Sequence, residues 1–395
     1  MKHPMENLPS TKGLAILGST GNIGVQALEV MAMHSEYFHL IILTAGSDVN
    51  LLIEQSKKYQ PEMVFIYDET KRKTLKEKLH LENCIVLSSE KELFQAFKQD
   101  DLHIVLMAML GFSGLLPTLA AVEAGKDIAI ANKESLVVGG SLIMPQVREK
   151  NIHFIPVDSE HSAIFQSLLG EKTSEIEKII LTASGGPFLN RETKDIEKIQ
   201  LHEALQHPTW QMGKKISIDS ASMMNKGLEV IEAKWLFHLM PHQIEVVIHP
   251  QSVIHSMVQF IDGSIKAQMG NPDMRGPIHF ALFYPHRIHS PLTRFNFLGY
   301  PSLSFQAITM KKFRNLALAF EALEKGGNMP AILNAANEVA VDAVLKEKLS
   351  FNRISEVIAT MMTQMDFISN PALNDLQASH WETIQKTKEL ISRKY

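Results

Sequence analysis

Three carboxylates and two lysines carry the chemistry that can be read in this polypeptide. The run Pro156-Val157-Asp158-Ser159-Glu160-His161 stands where a predicted strand ends and a helix begins. If the strand continues, Asp158 and Glu160 share a face, because side chains two apart along a strand point the same way. They then form a pair of hard oxygen ligands; the competing reading is that Asp158 or Ser159 caps the helix. A second cluster, Ser220 through Asn225-Lys226-Gly227-Leu228-Glu229, favours the ligand reading. On a helix Asn225 and Glu229 are four apart and Lys226 and Glu229 three apart, so one side can present all three. Glu229 then supplies a third carboxylate, while Lys226 offers a cation to substrate oxygens. Three carboxylates with positions left open suit Mg2+ or Mn2+ and do not suit a thiolate-preferring metal. The bland alternative for Lys226 and Glu229 is an exposed helix salt bridge, worth about a few tenths of a kcal/mol.

Further groups fall at places where ligands bind. Asn132-Lys133-Glu134-Ser135 follows the predicted strand Asp127–Ala131, and the carboxyl ends of strands in an open α/β sheet are binding positions. Lys133 there can stabilise a developing oxyanion or order a metal site. Ser184-Gly185-Gly186-Pro187 follows the predicted strand Ile179–Thr182 and can grip a phosphate or serve only as a turn. The polar stretch from Asn190 to Lys215 has no clear strand and is expected to be a mobile lid, with His207 as a phosphate donor and Trp210 as a cover that excludes water. Near the N-terminus, Gly18-Ser19-Thr20-Gly21-Asn22-Ile23-Gly24 lies between an apolar run and the helical run Val25–Met33. Glycines so spaced let the backbone turn tightly and approach a pyrophosphate at the helix N-terminus. The next strand ends in Ala45-Gly46-Ser47-Asp48, with no acidic residue at the tip where NAD-type ribose contacts are made. The small Ala45-Gly46 pair leaves room for a 2′-phosphate, which Asp48 would repel if it pointed inward. This favours NADP over NAD.

These groups need a scaffold of several parts, and the 395 residues suffice for two or three domains. Up to about residue 150, apolar runs (Leu14–Leu17, Leu40–Leu43, Met63–Ile66, Cys84–Leu87, Ile104–Met107, Ile128–Ile130) alternate with helix-period segments. That pattern predicts a Rossmann-like, doubly wound parallel sheet in residues 1–150. Residues 151–284 predict a catalytic α/β domain with a mixed sheet, from Ile152–Val157, Ile179–Thr182, Val246–Ile248 and a hairpin turning at Asp262-Gly263. Its lid covers about 184–215. Residues 285–311, rich in proline, read as a linker, and 312–395 as a C-terminal α-helical bundle. The net charge of −4 supplies no basic surface for nucleic acid and no polybasic membrane patch. The single cysteine, Cys84, permits no intrachain disulfide and is expected to fill a core. The polar N-terminal residues lack the pattern of a secretory signal, so the cytoplasm is expected.

Taken in order, these motifs resemble the 1-deoxy-D-xylulose 5-phosphate reductoisomerase family. The residues that carry the resemblance are Gly18–Gly24, Ala131–Glu134, Pro156–His161, Ser184–Phe188, His207-Pro208-Thr209-Trp210, Asp219-Ser220, Asn225–Glu229 and His249–His255. Leu333–Glu338 fits too, as a mark of the helical part more than of the chemistry. The resemblance implies a homodimer of three-domain subunits, NADPH, and Mg2+, Mn2+ or Co2+. It implies Asp158, Glu160 and Glu229 as metal ligands. Substrate contacts would come from Lys133, Ser159, Glu160, Ser184, His207, Ser220, Asn225, Lys226 and Glu229. Cofactor contacts would come from Thr20, Gly21, Asn22, Ile23, Gly46, Asp48, Asn132, Glu134 and Gly213, beside the loop glycines Gly18 and Gly24. The implied reaction rearranges the ketose phosphate and then reduces the resulting aldehyde, giving 2-C-methyl-D-erythritol 4-phosphate. Two rival readings are a semialdehyde-type dehydrogenase, which would need Cys84 as a nucleophile, and a nucleotide sensor that has lost its chemistry.

Overall fold

The computed structural model describes residues 11–395 apart from 80, 82, 193–198, 207–209 and 211. Its backbone contacts gather into two compact units. The first holds residues up to Asn132, then Gln146–Asp158 and Met274–Leu292; the second holds Lys133–Pro145, Ser159–Asp273 and Thr293–Tyr395. The polypeptide therefore passes between units several times, and two of these passages fall at Asn132-Lys133 and Asp158-Ser159, both inside the motifs singled out above.

In the first unit the strands are β1 (Lys12–Leu17), β2 (Phe38–Ala45), β3 (Met63–Ile66), β4 (Ile85–Val86), β5 (Leu102–Met107), β6 (Asp127–Ile130) and β7 (Phe154–Pro156). They form one sheet in the order β4-β3-β2-β1-β5-β6-β7, and every pairing is parallel. Its central strands are continuous apolar runs because helices cover both faces. β4 departs from that expectation: Ile85 is exposed and Cys84 only half-buried, since an edge strand is covered less than a central one. A larger departure concerns Ile152–Val157, expected in the second sheet. Phe154–Pro156 instead pairs in parallel with β6, where Asp127 accepts the His153 backbone N–H at 2.8 Å and fixes the register. Helix Arg275–Phe283, beyond the hairpin, packs on this same unit against helix Asn22–Ala32.

The strand order reverses at β1, with β2 on one side and β5 on the other, and such a switch point opens a crevice at the carboxyl ends of the strands. The glycine loop lies there. Gly18 has φ +87°, and a Cβ on it would stand 2.5 Å from the carbonyl oxygen of Ala108, just past β5. A Cβ on Gly24 would stand 2.3 Å from the Gly18 oxygen. Only glycine allows the loop to be this tight at both positions.

The second unit contains a mixed sheet of β8 (Ile176–Ala183), β9 (Ile244–Ile248), β10 (Ile254–Phe260), β11 (Ile265–Met269) and β12 (Gln306–Ala307), in the order β11-β10-β8-β9-β12. β10 and β11 form the expected hairpin, and β8 with β9 is the parallel pair. β12 falls within the stretch read as linker; two residues are too few to show periodicity. The C-terminal helices Arg314–Lys325, Met329–Leu345, Ile354–Gln364 and Leu373–Lys394 share one hydrophobic core with this sheet. Among the described residues, no helix is long and apolar enough to cross a membrane.

The last helix carries a titration that can be tested. His380 is 2% exposed and packs edge-on against Trp381. Burial lowers its pKa from 6.5 to about 4. Protons therefore bind the unfolded chain first, so this contribution to stability is whole above the unfolded pKa and declines as pH falls toward the folded one. The shift corresponds to about 3 kcal/mol. His380→Leu is expected to flatten the acid limb of a melting-temperature profile between about pH 7 and pH 4. An unchanged limb would assign the acid sensitivity to other groups.

Candidate active site

The carboxylates and lysines of the sequence reading meet in the second unit, with Asp158 at its threshold. β7 stops at Pro156, and the helix Ser159–Ser167 begins two residues past Val157. Asp158 and Glu160 are therefore not alternate residues of one strand, as the spacing had predicted. Asp158 occupies the junction and Glu160 the first turn of the helix. Their carboxylates still converge: Asp158, Glu160 and Glu229 each place an oxygen within 4.8 Å of the others.

Helix Met224–Phe237 supplies the other wall. Met223 takes up a left-handed conformation (φ +62°) just before it, which starts the helix abruptly. The first two turns then present Asn225, Lys226 and Glu229 together. Lys226 Nζ donates to Glu160 Oε1 at 2.7 Å and to Glu229 Oε2 at 2.5 Å. Asn225 Nδ2 donates to Glu229 Oε1 at 2.6 Å, and Lys133 Nζ donates to Asn225 Oδ1 at 2.9 Å. Lys133 also stands 3.5 Å from Glu229 Oε1. Ser159 Oγ donates to Glu160 Oε2 at 2.6 Å. The bland reading of Lys226 and Glu229 as an exposed pair is excluded, because their side chains are 5% and 0% exposed. Burial alone would pull the Lys226 ammonium down; the charges of Glu160 and Glu229 outweigh it and hold its pKa above the ordinary lysine value.

The donor set fits a hard divalent cation: three carboxylates, no thiolate, and oxygens close enough to share one ion. Lys226 bridges two of these carboxylates, so an ion and the ammonium compete for the same oxygens.

Other predicted positions are placed as follows. Gly185 and Gly186 both have positive φ (+84° and +66°), and the Gly186 N–H donates to Ser184 Oγ at 3.2 Å. This turn lines a cavity of about 430 Å3 together with Asn190, Arg191 and Pro250. Trp210 lies beside the buried His255, their ring centroids 6.4 Å apart. His207 lies outside the described residues. Ser220 is half-buried on helix Lys214–Ala221, whose N-cap is Gly213. Asp48 is an N-cap: its Oδ1 accepts the Leu51 N–H at 3.0 Å, which orients the carboxylate toward its own helix. A Cβ on Gly46 would meet nothing, so that strand tip is open. Thr20, Gly21, Asn22 and Ile23 follow Gly18 into helix Asn22–Ala32, and Asn132 is buried with its amide donating to the carbonyls of Met109 and Gly111. Glu134 forms an ion pair with Lys215. The Cys84 thiol is pushed up by burial to about 11, so it is unsuited to act as a nucleophile and the semialdehyde-dehydrogenase reading loses its only candidate.

Two features escaped the sequence reading. His161 Nε2 donates to the backbone oxygen of Glu229 at 2.9 Å, and its Nδ1 lies 3.2 Å from Glu232, both side chains being buried. Lys215, in sequence only the end of a polar segment, pairs with Glu134 and Asp219.

Three family models cover most of the polypeptide. Residues 14–140 match the model of 1-deoxy-D-xylulose 5-phosphate reductoisomerase, residues 154–237 that of the C-terminal domain of the same enzyme, and residues 269–389 a further DXP reductoisomerase C-terminal domain. A 1-deoxy-D-xylulose 5-phosphate reductoisomerase from Bacteroides fragilis is 52% identical over 382 residues, 97% of this chain and 98% of the relative. Among solved structures, the enzyme from Zymomonas mobilis in complex with NADPH has a TM-score of 0.89 at 38% identity, covering 97% of this chain and 99% of the other. A DOX-P reductoisomerase in complex with NADPH, fosmidomycin and magnesium has a TM-score of 0.91 at 37% identity, covering 96% and 98%.

Proposed function

This chain belongs to the 1-deoxy-D-xylulose 5-phosphate reductoisomerase family, and from that premise we propose how its own residues carry out the reaction. The protein converts 1-deoxy-D-xylulose 5-phosphate to 2-C-methyl-D-erythritol 4-phosphate with NADPH and a divalent metal ion. The observation that carries the assignment of roles is the buried cluster of Asp158, Glu160 and Glu229 with Lys226 and Lys133.

Asp158, Glu160 and Glu229 would hold the metal, which when bound polarises the substrate carbonyl and spreads charge over neighbouring oxygens. Lys226, Asn225, Ser159 and Lys133 present N–H and O–H donors to the substrate hydroxyls and carbonyl, and the burial of Lys226, Ser159 and Lys133 makes their bonds stronger than they would be in water. Ser184, Ser220 and His207 hold the phosphate. That remote grip orients the reacting carbons and stabilises closure of the lid segment, with Trp210 excluding water over the site. The loop Gly18–Gly24, with Gly46, Asp48, Asn132, Glu134 and Gly213, binds NADPH, the hydride donor for the reduction. The tightness of the loop at Gly18 and Gly24 supports close approach of a pyrophosphate. Asp48 caps its helix, its Oδ1 accepting the Leu51 N–H. The working assembly is a cytoplasmic homodimer of nucleotide-binding, catalytic and C-terminal helical parts, using Mg2+ or Mn2+.

The direct test follows NADPH absorbance with 1-deoxy-D-xylulose 5-phosphate, with and without Mg2+ or Mn2+, and again with NADH. Metal-dependent oxidation preferring NADPH, blocked by fosmidomycin, is the expected result. No oxidation by folded, metal-loaded protein would return the sensor reading to first place.

A further inference from the structure

The run Leu333–Glu338, prominent in the sequence, has no part in the roles just given. It lies on helix Met329–Leu345, and both of its asparagines are fully buried. Asn337 Nδ2 donates to Asp219 Oδ1 at 2.8 Å. The other Asp219 oxygen stands 3.0 Å from Lys215 Nζ, which in turn donates to Glu134 Oε1 at 2.5 Å. Asn334 Nδ2 donates to Glu338 Oε1 at 3.0 Å, and the Glu338 charge acts on Lys215.

The two ends of this network adjoin the site. Glu134 follows Lys133, and Asp219 precedes Ser220. Lys215 is also the second residue of helix Lys214–Ala221, where the stretch containing Trp210 joins that helix. One partly buried ammonium thus ties together two site-bearing segments, and an amide from the C-terminal helices fixes the carboxylate on one side of it. The orientation of the Asn337 amide is forced, since an ionised carboxylate only accepts hydrogen bonds and the amide must turn its NH2 toward Asp219. Its Oδ1 makes no hydrogen bond among the described residues. Packing alone does not require this arrangement, because an apolar side chain would fill the same space without burying an amide.

We propose that Asn337 and Lys215 are positioning residues of the reaction: acting through Asp219 and Glu134, they set the helix that carries Ser220 and the turn that carries Lys133. This rests on the site reading given above. The C-terminal helices then do more than complete the core, since they hold the substrate-binding helix in its working position. Neither residue touches substrate in this scheme, so their loss acts on geometry, and displacements of about an ångström at reacting groups cost on the order of a hundredfold in rate.

The experiment compares Asn337→Ala, Lys215→Met and their double variant in the full-length, metal-loaded enzyme, with Asn337→Ser and Lys215→Arg as milder partners. Active wild type establishes the function independently of the variants. The expected result is a fall of about 10- to 100-fold in kcat/KM for each single variant, with magnesium binding within a few-fold of wild type. Lys215→Arg should recover part of the loss. Because both residues act through Asp219, the double variant should lose little more than the worse single one. Wild-type kcat/KM in Asn337→Ala overturns the proposal. So do additive losses that track the fall in melting temperature, or failure of both Asn337 variants to fold, since either result makes the network structural only.

Discussion

Glu229→Gln is expected to abolish turnover, with a loss of at least about a thousandfold, while NADPH binding stays close to wild type. Glu229 is completely buried, and both of its carboxylate oxygens accept hydrogen bonds from the cluster. Oε1 accepts from Asn225 and lies near Lys133, and Oε2 accepts from Lys226. Glutamine matches the shape but replaces one acceptor by an NH2 group. On either orientation that NH2 faces a donor, either Lys226 or the Asn225 and Lys133 pair, and the hydrogen bond becomes a clash of like groups. The substitution also removes one of the three charges that would hold the metal, so magnesium affinity should fall with activity. The glycine loop belongs to the other unit, hence the unchanged nucleotide binding. Fluorescence titration with NADPH, calorimetry with Mg2+ and the turnover assay separate these effects. A variant with activity within tenfold of wild type would falsify the assignment of Glu229 to the metal site.

What the sequence made legible and what it hid differ by the range of the interactions. The glycine loop could be read because strand, turn and helix are consecutive, and a tight turn between β1 and its helix needs glycine wherever it occurs. Asn225, Lys226 and Glu229 could be read because helix geometry alone brings residues three and four apart together. Asp158 and Glu160 were rightly paired for an incorrect reason: the strand periodicity ends at Pro156, and it is the turn into the following helix that leaves both near Glu229. The sheet membership of Phe154–Pro156 could not be read. Three apolar residues suit either sheet, and the choice is made by pairing with β6 and by the Asp127 to His153 bond across the register. The same holds for Lys215. Asp219 is four residues on along the same helix, but its other partner Glu134 is 81 residues away and the Asn337 that completes the set is 118 residues from Asp219. No local pattern encodes such a meeting.

Lys226→Met is expected to separate metal binding from catalysis. The Lys226 ammonium neutralises Glu160 and Glu229 at 2.7 and 2.5 Å. Methionine keeps much of the apolar stem and removes the charge, which leaves buried carboxylates repelling one another. Breaking a buried ion pair from one side typically costs about 3–5 kcal/mol, so the metal-free variant should melt well below wild type. A divalent cation supplies the missing positive charge and no longer competes with an ammonium for the same oxygens. Magnesium should therefore bind the variant at least as tightly as wild type and raise its melting temperature by more, because a ligand that binds only the folded state stabilises in proportion to its occupancy. Turnover should nonetheless fall by about a hundred- to a thousandfold, since the donor that meets the substrate oxygens is gone. Thermal melts across a magnesium titration, set beside the turnover assay, test both halves. If magnesium affinity falls together with activity, Lys226 is not the ion's competitor but a support for its ligands, holding Glu160 and Glu229 in place for it.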